Sequence, residues 1–192
     1  MLTLQQLAHF DSFGFLLLRQ LFAAEEIAGI RHAAEEIWQA EREQRGLGAL
    51  DYLSLPSFIE RSPALLRLAV DDRIYGAIAD LLGADFLWSG SEGNTGAAMQ
   101  NQFHAWHSDR CGEAEPDYRR AKVMIYLTPV TKDTGCLRVI PGSHKLPLYK
   151  ELDGLNQQTA DTCAQLFGVA GQDQSAVALG HRQAAFAVMC SG

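Results

Sequence analysis

Apolar residues in the first 83 positions recur mainly at helical spacing, whereas those beyond fall in short bounded runs. The elements therefore segregate along the chain instead of alternating as βαβ units would, which disfavours a doubly wound parallel sheet. Thr3 with Gln6 forms a capping-box pattern that predicts a short helix through about Phe10, and Gly14-Phe15-Leu16-Leu17-Leu18 then reads as a buried strand. From Ala24, the stripe Ile27, Ile30, Ala34, Ile37 and Trp38 is opposed by Glu25, Glu26, Arg31, Glu35 and Glu36, which predicts an amphipathic helix ending near Arg45-Gly46. Asp71 can cap a further helix carrying Ile74, Ile78 and Leu81, with Gly83 at its end. Strand-like runs follow at Asp85 to Ser89, Met99 to His107, Lys122 to Thr128, Cys136 to Ile140, Ala176 to Leu179 and Gln183 to Cys190. Turn clusters at residues 89–94 and 131–135 separate some of them. Short strands at this spacing predict an antiparallel sandwich or barrel buttressed by the N-terminal helices, and no linker divides the halves. The expectation is one domain over 1–192, with 1–83 mainly helical support and 84–192 the strands.

Composition narrows the partners. The 192 residues carry 16 Lys+Arg against 23 Asp+Glu, for a formal charge of −7, and no basic run is present. An electrostatic footprint for nucleic acid is therefore not expected, and a small molecule is. The N-terminal stretch has no basic leader, and its apolar run is too short to span a bilayer, so a soluble, unprocessed, cytoplasmic protein is expected. Cys111, Cys136, Cys163 and Cys190 are widely spaced without a CxxC pair, which predicts reduced thiols.

Trp106-His107-Ser108-Asp109 closes one strand-like run. Alternate residues of a strand point to the same face, so His107 and Asp109 can aim an imidazole nitrogen and a carboxylate oxygen at one point. That is two-thirds of a two-histidine, one-carboxylate facial triad, a donor set suited to non-haem Fe(II) with positions left for co-substrate and O₂. An HxD tripeptide also serves as an ordinary polar strand end. His104, three residues earlier, falls on the opposite face, and His9 and His32 sit in helical stretches as surface or helix-layer residues. Pro141-Gly142-Ser143-His144 reads as a chain reversal in which His144 is structural or at a pocket rim. Arg110, Arg119, Arg120 and Lys122 form a solvated loop that could steer an anion, and Trp106 suits core or pocket wall equally.

The combination of Trp106-His107-Ser108-Asp109, then Val123-Met124-Ile125-Tyr126-Leu127-Thr128, then Thr134-Gly135-Cys136-Leu137-Arg138-Val139-Ile140-Pro141-Gly142-Ser143-His144-Lys145 resembles the phytanoyl-CoA dioxygenase family. The leading Phe10 to Leu18 and Phe22 to Ile27 are similar to that family's N-terminal pattern. The resemblance implies a mostly β fold with N-terminal α-helices, its core a double-stranded β-helix of the jelly-roll, cupin-like kind. It further implies an Fe(II)- and 2-oxoglutarate-dependent dioxygenase that consumes O₂ and hydroxylates a small-molecule substrate. His107 and Asp109 would be metal ligands, and an arginine would neutralise the far carboxylate of 2-oxoglutarate.

In that family a later strand carries the distal histidine within a Pro-Gly-Asp segment, and the arginine follows. Here Ser175 to Gly180 runs directly into His181 and Arg182, so the chain is expected to lack that segment. His181 is the candidate third ligand and Arg182 the candidate 2-oxoglutarate residue, but neighbours on a regular strand face opposite ways. Counting by twos from Arg182 gives Ala184, Phe186, Val188 and Cys190, which predicts Arg182 inward and His181 outward unless a bulge at Gly180 shifts the register. Two other readings stay open: a catalytically impaired relative acting as a binding or interaction module, and a non-oxygenase cupin.

Overall fold

A stretch of strand that is buried on both faces has to be apolar at every position, and the first four residues of Phe15–Arg19 (β1) show this: Phe15, Leu16 and Leu18 are buried and Leu17 half-buried, before the strand ends on exposed Arg19. The computed structural model describes residues 1–96, 119–131, 136–145, 177–178 and 185–191, with 138 and the last two segments described as backbone. Among these residues the elements are α1 (Leu4–Phe13), β1 (Phe15–Arg19), α2 (Ala24–Arg45), β2 (Leu53–Pro56), α3 (Pro63–Leu66), α4 (Asp72–Leu82), β3 (Glu92–Thr95), β4 (Arg120–Ile125), β5 (Arg138–Val139), β6 (Val177–Ala178) and β7 (Ala185–Ser191). They group into two compact units, one of Met1 with Gln20–Gln102 and one of Leu2–Arg19 with Phe103–Gly192.

The helices form where patterning places them. The Thr3 hydroxyl accepts from the Gln6 amide at 3.2 Å and the Gln6 side chain accepts from the Thr3 amide at 2.8 Å, so the capping box is complete. Helix α1 continues three residues past the expected Phe10, to Phe13, and is closed by Gly14. Helix α2 turns Ile27, Ile30, Ala34, Ile37 and Trp38 away from solvent to varying degrees, and α4 buries Ile74, Ala77 and Ile78. Their N-termini are joined through Arg73. Its guanidinium donates to Asp71, the α4 cap, at 2.7 and 2.9 Å, to Glu26 in the first turn of α2 at 2.8 and 3.0 Å, and to the Leu21 carbonyl at 3.1 Å. The same group lies 4.2 Å from the centre of the Phe22 ring, a cation over an aromatic face. Hydrogen bonding from Arg73 holds the Asp71 and Glu26 carboxyls below their ordinary range.

The first unit departs from expectation at its strands. Asp85 to Ser89 is not a strand, although Phe86-Leu87-Trp88 is apolar enough to suggest one. No described strand pairs with it, Leu87 is 92% exposed, and Trp88 instead donates its indole N–H to Glu60 at 3.0 Å. The strand lies just beyond, where Glu92–Thr95 pairs antiparallel with Leu53–Pro56 inside what reads as a turn cluster. Leu53 and Leu55 of β2 point inward at 2% and 0% exposure, the alternation a one-sided strand requires. Gly93, opposite Leu55, is there for space: a Cβ on it would sit 2.2 Å from the Phe58 ring, which stacks on Trp38 with centroids 4.8 Å apart. Leu55→Ala is expected to lower stability by about 2–5 kcal/mol, the cost of a cavity at a fully enclosed leucine, as read by denaturant unfolding.

In the second unit, β1, β7 and β4 form an antiparallel sheet with β7 in the middle, and β5 pairs antiparallel with β6. β4 begins two residues before the predicted Lys122 and ends at Ile125 instead of Thr128, and β5 is the two-residue centre of the expected Cys136 to Ile140 run. The expected strand at Met99 to His107 lies outside the described residues. Cys136, the cysteine among the described side chains, is a thiol.

Candidate functional site

Of the residues named for the site, His181 and Arg182 shortly precede β7 in sequence, which makes the β1-β7-β4 sheet the described framework nearest to them. Around the central strand, Leu18 and Ile125 flank position 186, Leu17 and Met124 flank 187, Leu16 and Val123 flank 188, and Phe15 and Lys122 flank 189. Strand alternation puts Phe15 and Leu17 on one face of β1 and Leu16 and Leu18 on the other. Phe15 packs with Leu17, Met124, Leu137 and Val139, which brings the β5 segment onto that face. The even positions 186 and 188 of β7 therefore run between apolar neighbours on both sides, whereas the odd positions meet Arg19 beside 185, Lys122 beside 189 and Arg120 beside 191 as well as the apolar pair flanking 187.

Two polar ties fix the loops that leave this sheet. Tyr126, directly after β4, accepts a hydrogen bond on its hydroxyl from the Leu137 amide at 2.7 Å, and burial pushes its phenol pKa up. That neutral hydroxyl anchors the start of the β5 segment against the end of β4. The second tie is His144. Its Nε2–H donates to the Asp11 carbonyl at 3.1 Å, and Gly142 N–H donates to the Phe13 carbonyl at 2.9 Å, so the Pro141–Lys145 turn caps the C-terminus of α1. His144 thus has the structural part its sequence context suggested. Sequence reading misses the Tyr126 tie, since a tyrosine at the end of an apolar run carries no signal for its hydroxyl's partner.

His107, Asp109, His181 and Arg182 all lie outside the described residues, as do His104, Trp106 and Arg110. Among the described residues no group of three or more His, Cys, Asp or Glu side chains is arranged to hold a metal ion. His9 is half-buried, tilted over Phe13 with centroids 4.8 Å apart and edge-on to Phe15 at 5.2 Å. His32 is exposed beside Glu36 at 3.6 Å. Both are accounted for by their local packing. No helix among the described residues is long and apolar enough to cross a membrane.

Known proteins place the scaffold. The ectoine dioxygenase of Bordetella parapertussis is 28% identical over 156 residues, covering 75% of this chain and 50% of the relative. The chain spans about half the length of the curated relatives it matches. Among solved structures, EctD from S. alaskensis with 2-oxoglutarate and 5-hydroxyectoine superposes with a TM-score of 0.72 at 25% identity, covering 98% of this chain and 67% of that one. HygX from Streptomyces hygroscopicus, with nickel and 2-oxoglutarate bound, gives a TM-score of 0.71 at 21% identity, covering 98% and 78%. The chain shares the fold of these proteins. Residues 10–175 match phytanoyl-CoA dioxygenase (PhyH), a stretch that holds both His107-Ser108-Asp109 and the Gly135-to-Lys145 segment, and the chain belongs to that family.

Proposed function

We propose that this chain is the catalytic domain, or the larger part of one, of an Fe(II)- and 2-oxoglutarate-dependent dioxygenase that hydroxylates a small molecule. Its core is a double-stranded β-helix over 1–192, of which the β1-β7-β4 sheet is one wall. The reading rests on one observation above the rest: the His-x-Asp pair falls inside the family-matched stretch, together with the Gly135 to Lys145 segment.

The donor chemistry fits the metal. A neutral imidazole and an anionic carboxylate two residues apart are borderline and hard donors of the kind Fe(II) takes, with open positions left for co-substrate. His107 and Asp109 would hold the iron and His181 would be the third ligand. Arg182 would pair its guanidinium fork with the distal carboxylate of 2-oxoglutarate. When bound, the iron and co-substrate supply oxidative decarboxylation of 2-oxoglutarate to succinate and CO₂, coupled to insertion of one O₂ oxygen into a substrate C–H bond. The protein's own part is to orient the co-substrate and to exclude water.

The test is anaerobic Fe(II) titration followed by succinate formation from 2-oxoglutarate, first without substrate and then with ectoine, the compound named for the curated relatives. Fe(II)-dependent binding of 2-oxoglutarate with measurable turnover supports the dioxygenase. Metal-independent binding of an organic ligand, with no turnover, favours instead a binding module built on the same fold. A paired comparison assigns the last two residues. Arg182→Ala is expected to weaken 2-oxoglutarate affinity by about 10–100-fold with iron affinity kept, since it removes a bidentate charged hydrogen bond worth about 1.5–3 kcal/mol. If His181→Ala leaves iron affinity unchanged, His181 is not the third ligand.

A further inference from the structure

The turn that follows β5 does more than reverse the chain. Helix α1 ends with carbonyls that have no partner within the helix, and three are satisfied from nearby: Phe10 by the Gly14 amide at 2.8 Å, Phe13 by the Gly142 amide at 2.9 Å and Asp11 by His144 at 3.1 Å. Because the Asp11 carbonyl can only accept, His144 must carry its proton on Nε2 at neutral pH. The other ring nitrogen is in a different position. Nδ1 has no solvent access and no hydrogen-bond partner. It is pressed against Gly14, where an added Cβ would come within 2.2 Å of it. Gly14 has φ +78, so the backbone here both reverses out of the helix and makes room for the ring.

We propose that the Pro141–Lys145 turn and helix α1 form an acid-opened clasp, in which neutral His144 holds the α1–β1 corner shut and protonation at Nδ1 releases it. The second proton of an imidazolium has only Nδ1 to occupy, and there it becomes a buried N–H donor facing a glycine Cα. An unmatched buried donor is the costly side of hydrogen-bond accounting. Among the described residues, the charged groups facing the ring are Asp11 on α1, which favours the cation, and Lys145 in the turn itself, which disfavours it. Burial outweighs the attraction of Asp11, and the imidazole is held below its ordinary pKa of 6.5. The sign follows. A folded-state value below the unfolded one means that the unfolded chain binds more protons, so the clasp is fully stable above about pH 6.5 and weakens as pH falls toward the depressed value. Opening frees the end of α1 and the first residue of β1, the strand at one side of the β1-β7-β4 sheet.

The experiment is an NMR titration of the imidazole nitrogens of the full chain from about pH 7.5 to about 4.5, with amide exchange at Gly142 followed in parallel. The expected result is an Nε2–H tautomer at neutral pH, a His144 midpoint below 6.5, and Gly142 protection that falls up to tenfold per pH unit through that window. His144→Gln keeps a donor for the Asp11 carbonyl without a titrating group, and its Gly142 protection is expected to be flat with pH once intrinsic exchange is corrected. His9→Gln is expected to leave the wild-type pH response unchanged. A midpoint at or above 6.5, an Nδ1–H tautomer, or a His144→Gln variant with the wild-type pH response each overturns the clasp. Should His144→Gln fail to fold, the wild-type tautomer and midpoint decide alone.

Discussion

Fe(II) binding is expected to disappear in Asp109→Ala. Asp109 is the one anionic donor in the proposed set, and without it a dication is left with neutral imidazoles and water. Removing even an outer-shell partner of a metal ligand typically costs about 10–100-fold in affinity, so loss of a directly bound carboxylate should exceed that. The carboxylate of Asp85 is exposed, and Asp85→Ala is the matched control that should titrate as wild type. Both proteins should unfold at similar denaturant concentrations, which separates a lost ligand from a lost fold. Wild-type iron affinity in Asp109→Ala would remove the HxD pair from the site and with it the proposed activity.

The second large effect is expected from the backbone alone. Position 188 lies in the central strand, opposite Leu16 on one side and Val123 on the other. Proline there deletes a ladder donor and forces its ring between two neighbouring strands, which sheets tolerate only at edges and bulges. Val188→Pro should therefore cost more than the roughly 1–3 kcal/mol of one lost buried hydrogen bond, because both ladders are disturbed at once. The expected observation is loss of cooperative unfolding for the β1-β7-β4 sheet, read by amide exchange at β1 and β4. Protection in β1 that survives the substitution would show that β7 is not its main partner.

The parts of the fold written locally are legible from sequence. The capping box at Thr3 and Gln6, the stripes of α2 and α4 and the five-residue apolar run of β1 each depend on residues within a turn or two of one another. β2 and β3 are not legible. Leu53–Pro56 is four residues ending in proline, and Glu92–Thr95 is Glu-Gly-Asn-Thr, a composition typical of turns; what makes them strands is each other and the Phe58 ring, stacked on Trp38, that occupies the space Gly93 leaves. Phe86-Leu87-Trp88 misleads for the converse reason, an apolar run with no strand among the described residues to pair with. At the candidate site the HxD spacing is local and readable, and residues 10–175 carry the family pattern around it. The third ligand is a different kind of question, since it depends on where a distant segment returns and with what register, and two adjacent residues cannot reveal that.

The order of the β1-β7-β4 sheet also governs when it can form. β1 lies near residue 15 and β7 near residue 190, so their ladder closes almost the whole length of this sequence, and β4 cannot reach its described neighbour before β7 exists. During synthesis the apolar β1 emerges early and waits for its partner while the ribosome makes everything between. Long-range pairing of this kind is slow, because the entropy of closing the loop is lost before any contact repays it. Phe15–Leu18 therefore spends that interval without its described partner strand, the stage at which an apolar segment is most open to wrong pairing.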